Sequence, residues 1–478
     1  MRRVVSYYVG LFLKIFSALL ILPVIVGKYY GESFIRLEGF IMAAFLSISL
    51  GMMLSFGKKR RPDAVEGMMA ATVGWIAAVS IGSIPFMYTL NWGFVNAFFE
   101  AMNGFSTTGM TIIRSVEGLP RSLIFWRAFI QWIGGLGILT FFVTVIVEAG
   151  GAAKSLVFGE ANKTDSGSIR PSLFNSIKSL WYVYIVFTLL ELVLLKFAGL
   201  SVFDSLTYAL TTMPTGGFAN TVGGVAGFES LAVEVIIFFF MIAGGTNFLL
   251  LYRILQGNIR ELFSNYEFRL YLKIMAGAAV VIFFDLWMSG GSVLTSLKNS
   301  LFQTVSVTSS TGFEIKAVSS FPKVSKMVFM GLMFVGGCLG STTGGIKMYR
   351  LGIMLKIVWR EIKSFTLPRN ALNFVSEAGR RISDDDLFRI VSIFFLWLSV
   401  IFATGLITVM FSPLSIAESL QGVLSSMGTM GPLVISKEAL IALNPGVKIM
   451  WALSMLAGRL ELIPVLVLLN VEIFKRFS

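Results

Sequence analysis

The sequence predicts an all-α polytopic membrane protein. Four pseudo-symmetric repeats, each a span, a re-entrant pore hairpin and a second span, surround one pore, and two further spans precede them. Three observations predict this: an apolar composition, ten apolar stretches of crossing length, and four short segments of matching design among the last eight stretches.

Of 478 residues, 56% are hydrophobic and 14% charged, and the mean hydropathy is +0.81. An ordinary soluble domain carries about 25% charged residues, so the bilayer is the main solvent of this chain. The first apolar stretch, Val4–Val26, is followed by many others and lacks a small-residue cleavage site, so it reads as a span and not as a secretory leader. A single cysteine, Cys338, makes no intrachain disulfide, and nothing depends on an oxidising compartment. Histidine is absent, which removes the commonest general base and metal ligand.

The net charge of +13 is placed as membrane insertion requires. Lys58, Lys59, Arg60 and Arg61 follow the second stretch; Arg253, Arg260 and Arg269, then Lys347 to Arg381, then Lys475 and Arg476 follow later. With both termini cytoplasmic, all these fall on cytoplasmic connections, as the positive-inside rule expects, and no nucleic-acid surface is needed.

A span needs about 20 apolar residues. Ten stretches qualify, near 5–27, 36–56, 66–90, 123–149, 178–199, 230–255, 271–289, 325–358, 387–411 and 446–473. They divide the chain into two N-terminal helices (1–60) and four repeats (61–150, 151–257, 258–370 and 371–478). Residues 151–177 and 359–386 read as polar connections too short to be separate domains.

Within each repeat lies a segment too short to cross: NAFFEAMNGFSTTGM (96–110), DSLTYALTTMPTGGF (204–218), NSLFQTVSVTSSTGF (299–313) and ESLQGVLSSMGTMGP (418–432). Each opens with Asn96, Asp204, Asn299 or Glu418, expected at or near a helix N-cap. Each reaches a glycine thirteen positions on: Gly109, Gly217, Gly312 and Gly431. A helix of about ten residues followed by a Thr/Ser-rich glycine turn is a re-entrant hairpin. Gly216 adjoins Gly217 in the second segment; Gly217 keeps the spacing and precedes Phe218 as Gly312 precedes Phe313.

Extended backbone inside hydrocarbon survives only where it lines a polar cavity or is buried in protein. Four such segments around one axis supply rings of carbonyl oxygens for a dehydrated cation. Glycine reaches the angles that turn carbonyls inward, and the short helices direct the negative ends of their dipoles to the centre. The segments carry no Lys or Arg to oppose a cation.

The span–hairpin–span pattern, with WRAFIQWIGGLGI (126–138), GGCLGSTTGGIK (336–347) and LAGRLE (456–461), resembles the Trk/Ktr/HKT superfamily of potassium transporters over residues 66–473. The two extra spans make it similar to the TrkH branch. The resemblance implies a potassium-selective filter at Thr107, Thr108, Gly109, Thr215, Gly216, Gly217, Ser310, Thr311, Gly312, Thr429, Met430 and Gly431. The fourth segment, with TMGP, departs most from the others. The resemblance also implies a homodimer in a prokaryotic inner membrane, bound to a cytosolic ring of nucleotide-binding regulatory subunits through basic loops such as 253–269 and 347–381. Potassium is the transported substrate, and no cofactor is implied.

Glycines are poor helix formers, each costing about 1 kcal/mol against alanine, so GGCLGSTTGGIK predicts a mid-membrane break in the eighth span. It is not a phosphate-binding loop, because Gly345 is followed by Ile346 before Lys347. Arg459 lies inside the last span, where an arginine must face protein or water. The resemblance implies a gate from Gly336, Gly337, Gly340, Ser341, Thr342, Thr343, Gly344, Gly345, Lys347 and Arg459. A hinge without gating, and an Arg459–Glu461 ion pair, are the plainer readings of the same residues. Glu191, Glu234 and Asp285 are either coupling sites for protons or sodium or, more simply, partners of cations or interface groups; Lys14 is expected to snorkel. Four same-sense repeats weigh against a transporter of inverted halves. The absence of histidine and of clustered ligands weighs against an enzyme.

Overall fold

The structure, a computed structural model, describes residues 2–56, 62–148, 169–366, 368, 373–377, 380–431 and 435–468. The basic cluster Lys58–Arg61, residues 151–168 of the first polar connection, and Lys475 and Arg476 lie outside the described residues. The fold is helical, as predicted. Among the described residues, six helical stretches are long and apolar enough to cross a membrane: Arg3–Tyr29, Phe34–Leu54, Val65–Leu90, Ile177–Phe197, Tyr266–Met288 and Asp384–Phe411. Arg121–Glu148 is a further helix of 28 residues.

Three of the ten stretches are broken. The eighth was expected to be: Lys323–Val335 ends at Gly336, and helix resumes at Met348–Ser364. The other two breaks correct the sequence reading. The stretch 230–255 reads as continuously apolar, yet Leu231–Gly244 and Phe248–Leu255 meet at 112°. Asn247 makes that corner, its side chain accepting from Leu249 N and so starting a second helix. The last stretch stops at Arg459; Glu461 and Leu462 take positive φ (58° and 67°) before Ile463–Val467. The second polar connection holds a two-stranded antiparallel hairpin, with Ser376 opposite Arg381 and Glu377 opposite Arg380.

The four short segments form helices Phe94–Phe105, Val202–Thr212, Val293–Thr308 and Ile416–Gly428, each packed against the helices that precede and follow it in its own repeat. Their starts differ from expectation. The N-caps are Gly93, Ser201, Ser292 and Ser415, so Asn96, Asp204 and Glu418 occupy the third helical position. Ser415 and Glu418 form a reciprocal capping box, a carboxylate at the third position being the partner such a box requires. Asn299 lies two turns inside, because the third short helix is the longest, at 16 residues.

The N-terminal helices pack on the first repeat. Phe16 lies 5.8 Å from Phe105 and 6.1 Å from Trp126, ring centre to ring centre, and Phe40 lies 6.0 Å from Trp126. The Trp126 indole N–H is satisfied by Gly82 O at 3.1 Å. This aromatic block fixes the end of the first short helix against the N-terminal helices, and with it the start of the strand that follows.

Candidate ion pathway

Each short helix ends on a residue in the left-handed region: Thr107 (φ 56°), Thr215 (56°), Ser310 (58°) and Thr429 (47°). For a side chain other than glycine or asparagine that conformation costs about 1–3 kcal/mol, and four equivalent instances mean the surroundings enforce it. The reward is visible in the amides. Thr107 N donates to Gly104 O, and Thr108 N and Gly109 N both donate back to Asn103 O at 2.9 and 3.3 Å. Gly216 N and Gly217 N do the same to Thr211 O, and Thr311 N and Gly312 N to Ser306 O. In the fourth strand Thr429 N returns to Ser426 O and Met430 N to Ser425 O, and Gly431 N makes no such bond among the described residues. With donors turned toward the helix, the carbonyls face the other way. Those of Thr107, Thr108, Thr215, Gly217, Ser310, Thr311, Gly312 and Thr429 accept no hydrogen bond among the described residues.

The four strands meet. A Cβ added to Gly109 would overlap Gly216 O, and one on Gly217 would overlap Thr311 O. A Cβ on Gly312 would lie 3.3 Å from Gly431 N, and one on Gly431 would lie 3.4 Å from Gly109 O. The contacts run 109, 216–217, 311–312, 431 and back to 109, a closed ring in chain order. Gly109, Gly217 and Gly312 have φ of 77°, 71° and 81°. Gly216 and Gly431 are not in that region, so Gly217 is the geometric counterpart of Gly109 and Gly312, while the fourth strand differs, as its TMGP wording anticipated. The hydroxyls of Thr107, Ser310 and Thr429 are buried and have no partner among the described residues.

Two side chains that the sequence reading passed over hold the strands from behind. Arg127, fully buried, pairs with Glu100 at 3.3 Å and donates to Thr111 Oγ1 at 3.1 Å. Glu100 also accepts from Thr111 Oγ1 (2.7 Å) and Ile112 N (2.9 Å), just past the first glycine. The same guanidinium lies over the Phe218 ring, 4.3 Å from its centre, in the second repeat. One helical turn on, Gln131 donates to Gly216 O at 2.7 Å and accepts from Phe218 N at 3.2 Å. Both residues sit in the WRAFIQWIGGLGI motif. Four-residue spacing put them on one helix face, but the sequence had no sign of what that face met.

The broken eighth stretch lies against the ring. Thr342 Oγ1 donates to Met213 O (3.0 Å) and Gly244 O (3.2 Å) and lies 3.4 Å from Thr215 Oγ1. Gly344 abuts the fourth strand, where a Cβ would overlap Gly428 O and Thr429 Oγ1. Gly336, Gly340 and Gly345 have φ of 71°, 73° and 80°. Gly337 N is held by Thr343 Oγ1 at 3.1 Å, and Ser341 Oγ lies 2.8 Å from that hydroxyl. Lys347, grouped by sequence with the cytoplasmic basic residues, is instead buried, with Nζ on Thr343 O and φ 78°.

Arg459 is 2% exposed and donates to Thr342 O at 2.5 Å and to Gly134 O at 3.0 Å. It ties the loop to the first repeat's inner helix. No carboxylate pairs with it among the described residues; Glu461 pairs with Arg350. The plainer Arg459–Glu461 reading is therefore not what the geometry contains. Two carbonyls and the negative end of its own helix hold the guanidinium in place. Elsewhere, Glu234 pairs with Lys298 at 2.6 Å, and Asp285 accepts from Ser325 N and Oγ at 2.7 and 2.6 Å. Both behave as structural partners. Glu191 does not fit the simpler reading: it is fully buried beside the Thr212 hydroxyl, and no cation pairs with it among the described residues.

Comparison with known proteins agrees across nearly the whole chain. The TrkH family, described as cation transport protein, matches residues 37–475. The Trk system potassium uptake protein TrkH of Salmonella typhimurium is 28% identical over 476 residues, covering 98% of each chain. An uncharacterized cation transporter of Methanocaldococcus jannaschii is 31% identical over 481 residues, covering 98% of this chain and 96% of its own. The crystal structure of the potassium transporter TrkH from Vibrio parahaemolyticus superposes with a TM-score of 0.89 at 26% identity, covering 99% of both chains.

The buried Arg127–Glu100 pair makes a direct prediction. Glu100→Ala strands a buried guanidinium, which costs about 3–5 kcal/mol. Thermal unfolding in detergent is expected to drop well below wild type, and Glu100→Leu/Arg127→Met to recover part of the loss. A Glu100→Ala protein as stable as wild type would contradict the pairing.

Proposed function

This chain belongs to the TrkH family of cation transport proteins, and from that premise we propose that it takes potassium into the cell through the ring of four glycine-bearing strands. Its work is transport, not catalysis. The observation that carries the reading is the closed ring itself: strands whose amides turn back to their own helices, and in which the carbonyls of Thr107, Thr215, Ser310 and Thr429 accept no hydrogen bond among the described residues. A desolvated monovalent cation is the partner that free carbonyls and orphaned Thr107, Ser310 and Thr429 hydroxyls lack. The ends of the four short helices add a negative potential at the same place. The relatives named as potassium uptake proteins supply the identity of the ion.

Gly336–Lys347 and Arg459 form the gate. The loop lies between the second and fourth strands, and a buried positive charge there opposes a cation. Met348–Ser364 begins where the loop ends and carries Arg350, Lys356, Arg360 and Lys363, so it is the lever through which a cytosolic nucleotide-binding subunit ring acts. Movement of that helix draws the loop off Thr342's partners. The protein works as a homodimer in a prokaryotic inner membrane, with both termini cytoplasmic, in keeping with the basic residues on its connections.

Purified protein in liposomes tests both parts. Gly312→Ser crowds Gly431 N at 3.3 Å and strains φ 81°, so it is expected to lower the potassium-over-sodium flux ratio about tenfold, or ~1.4 kcal/mol of discrimination. An unchanged ratio would remove the strands from the pathway. Arg459→Ala is expected to raise potassium flux without the regulatory subunit, and an equal or lower flux in folded protein would contradict the gate.

A further inference from the structure

The second strand is held differently from the other three. Six residues before each glycine stand Asn103, Thr211, Ser306 and Ser425. In three repeats this side chain tethers its own strand. Asn103 Oδ1 accepts from Met110 N at 2.9 Å, Ser306 Oγ donates to Phe313 O at 2.6 Å, and Ser425 Oγ donates to Met430 O. Thr211 does not: its hydroxyl turns back into its helix, donating to Thr207 O and Tyr208 O at 3.1 Å each.

Gln131 fills that role from another repeat. Its amide makes two opposed bonds, to Gly216 O and from Phe218 N, on either side of Gly217. Phe218 follows Gly217 as Met110 follows Gly109, so the amide oxygen of Gln131 does for Phe218 N what Asn103 does for Met110 N. Its NH2 group, in turn, binds the Gly216 carbonyl, while those of Thr215 and Gly217 have no protein partner among the described residues. The double glycine follows. Gly217 needs its positive φ and its contact with Thr311 O, whereas Gly216 needs to lack a Cβ because one would collide with the Gln131 amide.

We propose that Gln131 is a specificity-positioning residue, an inter-repeat brace that sets the carbonyl directions of the second strand and through them the discrimination between potassium and sodium. This rests on the reading of the four strands as an ion filter. The side chain touches no ion; it acts through Gly216 and Phe218. It is fully buried, so no water replaces its bonds when it is removed.

The test uses the full chain in liposomes, with potassium and sodium fluxes measured for wild type, Gln131→Met, Gln131→Leu, Gln131→Met/Thr211→Asn and Gly312→Ser. Loss of the two hydrogen bonds is expected to reduce the potassium-over-sodium ratio about three- to tenfold while potassium flux persists. Thr211→Asn, which gives the second repeat the tether of the first, is expected to restore part of the ratio. A wild-type ratio in both single Gln131 variants overturns the brace; if Gly312→Ser still lowers the ratio, the filter reading stands without it. If Gly312→Ser also leaves the ratio unchanged, the filter reading itself fails. A Gln131→Met chain that no longer folds also overturns the proposal, since the methionine keeps the volume and the residue would then be core packing alone.

Discussion

A lipid bilayer offers no hydrogen-bond partner to an exposed peptide group, and that constraint orders the interior of this protein. Four strands leave helical geometry at membrane depth. Each recovers its amides by bending through a left-handed residue and donating back to the helix it has just left. The carbonyls of the left-handed residues Thr107, Thr215, Ser310 and Thr429 then have no protein partner among the described residues, and only a polar axis can accept them. The remaining features follow from keeping that arrangement rigid. Inner helices carry glycine where they lie against the short-helix ends: a Cβ on Gly134 would overlap Phe105 O, and one on Gly458 would overlap Met427 O. Arg127 and Gln131 hold strands across a repeat boundary, where packing alone leaves the carbonyl directions open.

The same constraint explains why three interruptions coexist. The loop after Val335, the bend at Gly245–Asn247 and the stop after Arg459 each free backbone groups, and they answer one another. Cys338 N donates to Gly245 O at 2.9 Å, Phe248 N donates to Gly340 O at 3.1 Å, and Arg459 donates to Thr342 O. Glu267, buried at the start of Tyr266–Met288, accepts from Leu339 N (2.6 Å) and Tyr349 N (3.0 Å), joining the loop to the helix beyond it. Moving one interruption exposes unsatisfied groups in the others, which favours two discrete arrangements of the three over a graded series.

Much of the fold was legible in the sequence, because span length and composition are local properties. The four short helices were legible because a thirteen-residue spacing recurs four times, whereas any one alone is an ordinary glycine turn. Their starts were misplaced because the capping serines and Gly93 stand three or more residues upstream of the polar residues that drew attention. The corner at Gly245–Asn247 was hidden inside an apolar run, where length argues for a straight span. It exists because the loop residues 338–342 supply bonds that make a bend cheaper than a helix. Arg127 and Gln131 were visible as residues but not as braces, since their partners lie 27 and about 85 positions away in sequence. Long-range pairing of this kind leaves no local mark.

Diffraction from crystals grown in rubidium, with data collected at the rubidium absorption edge, tests the central claim most directly. Rubidium is a close stand-in for potassium and reports its own position. The account predicts anomalous peaks on the axis between Gly109, Gly217, Gly312 and Gly431, within coordinating distance of the free carbonyls of Thr107, Thr215, Ser310 and Thr429. An empty axis, with rubidium bound instead near Glu191 or at the membrane surface, would contradict it.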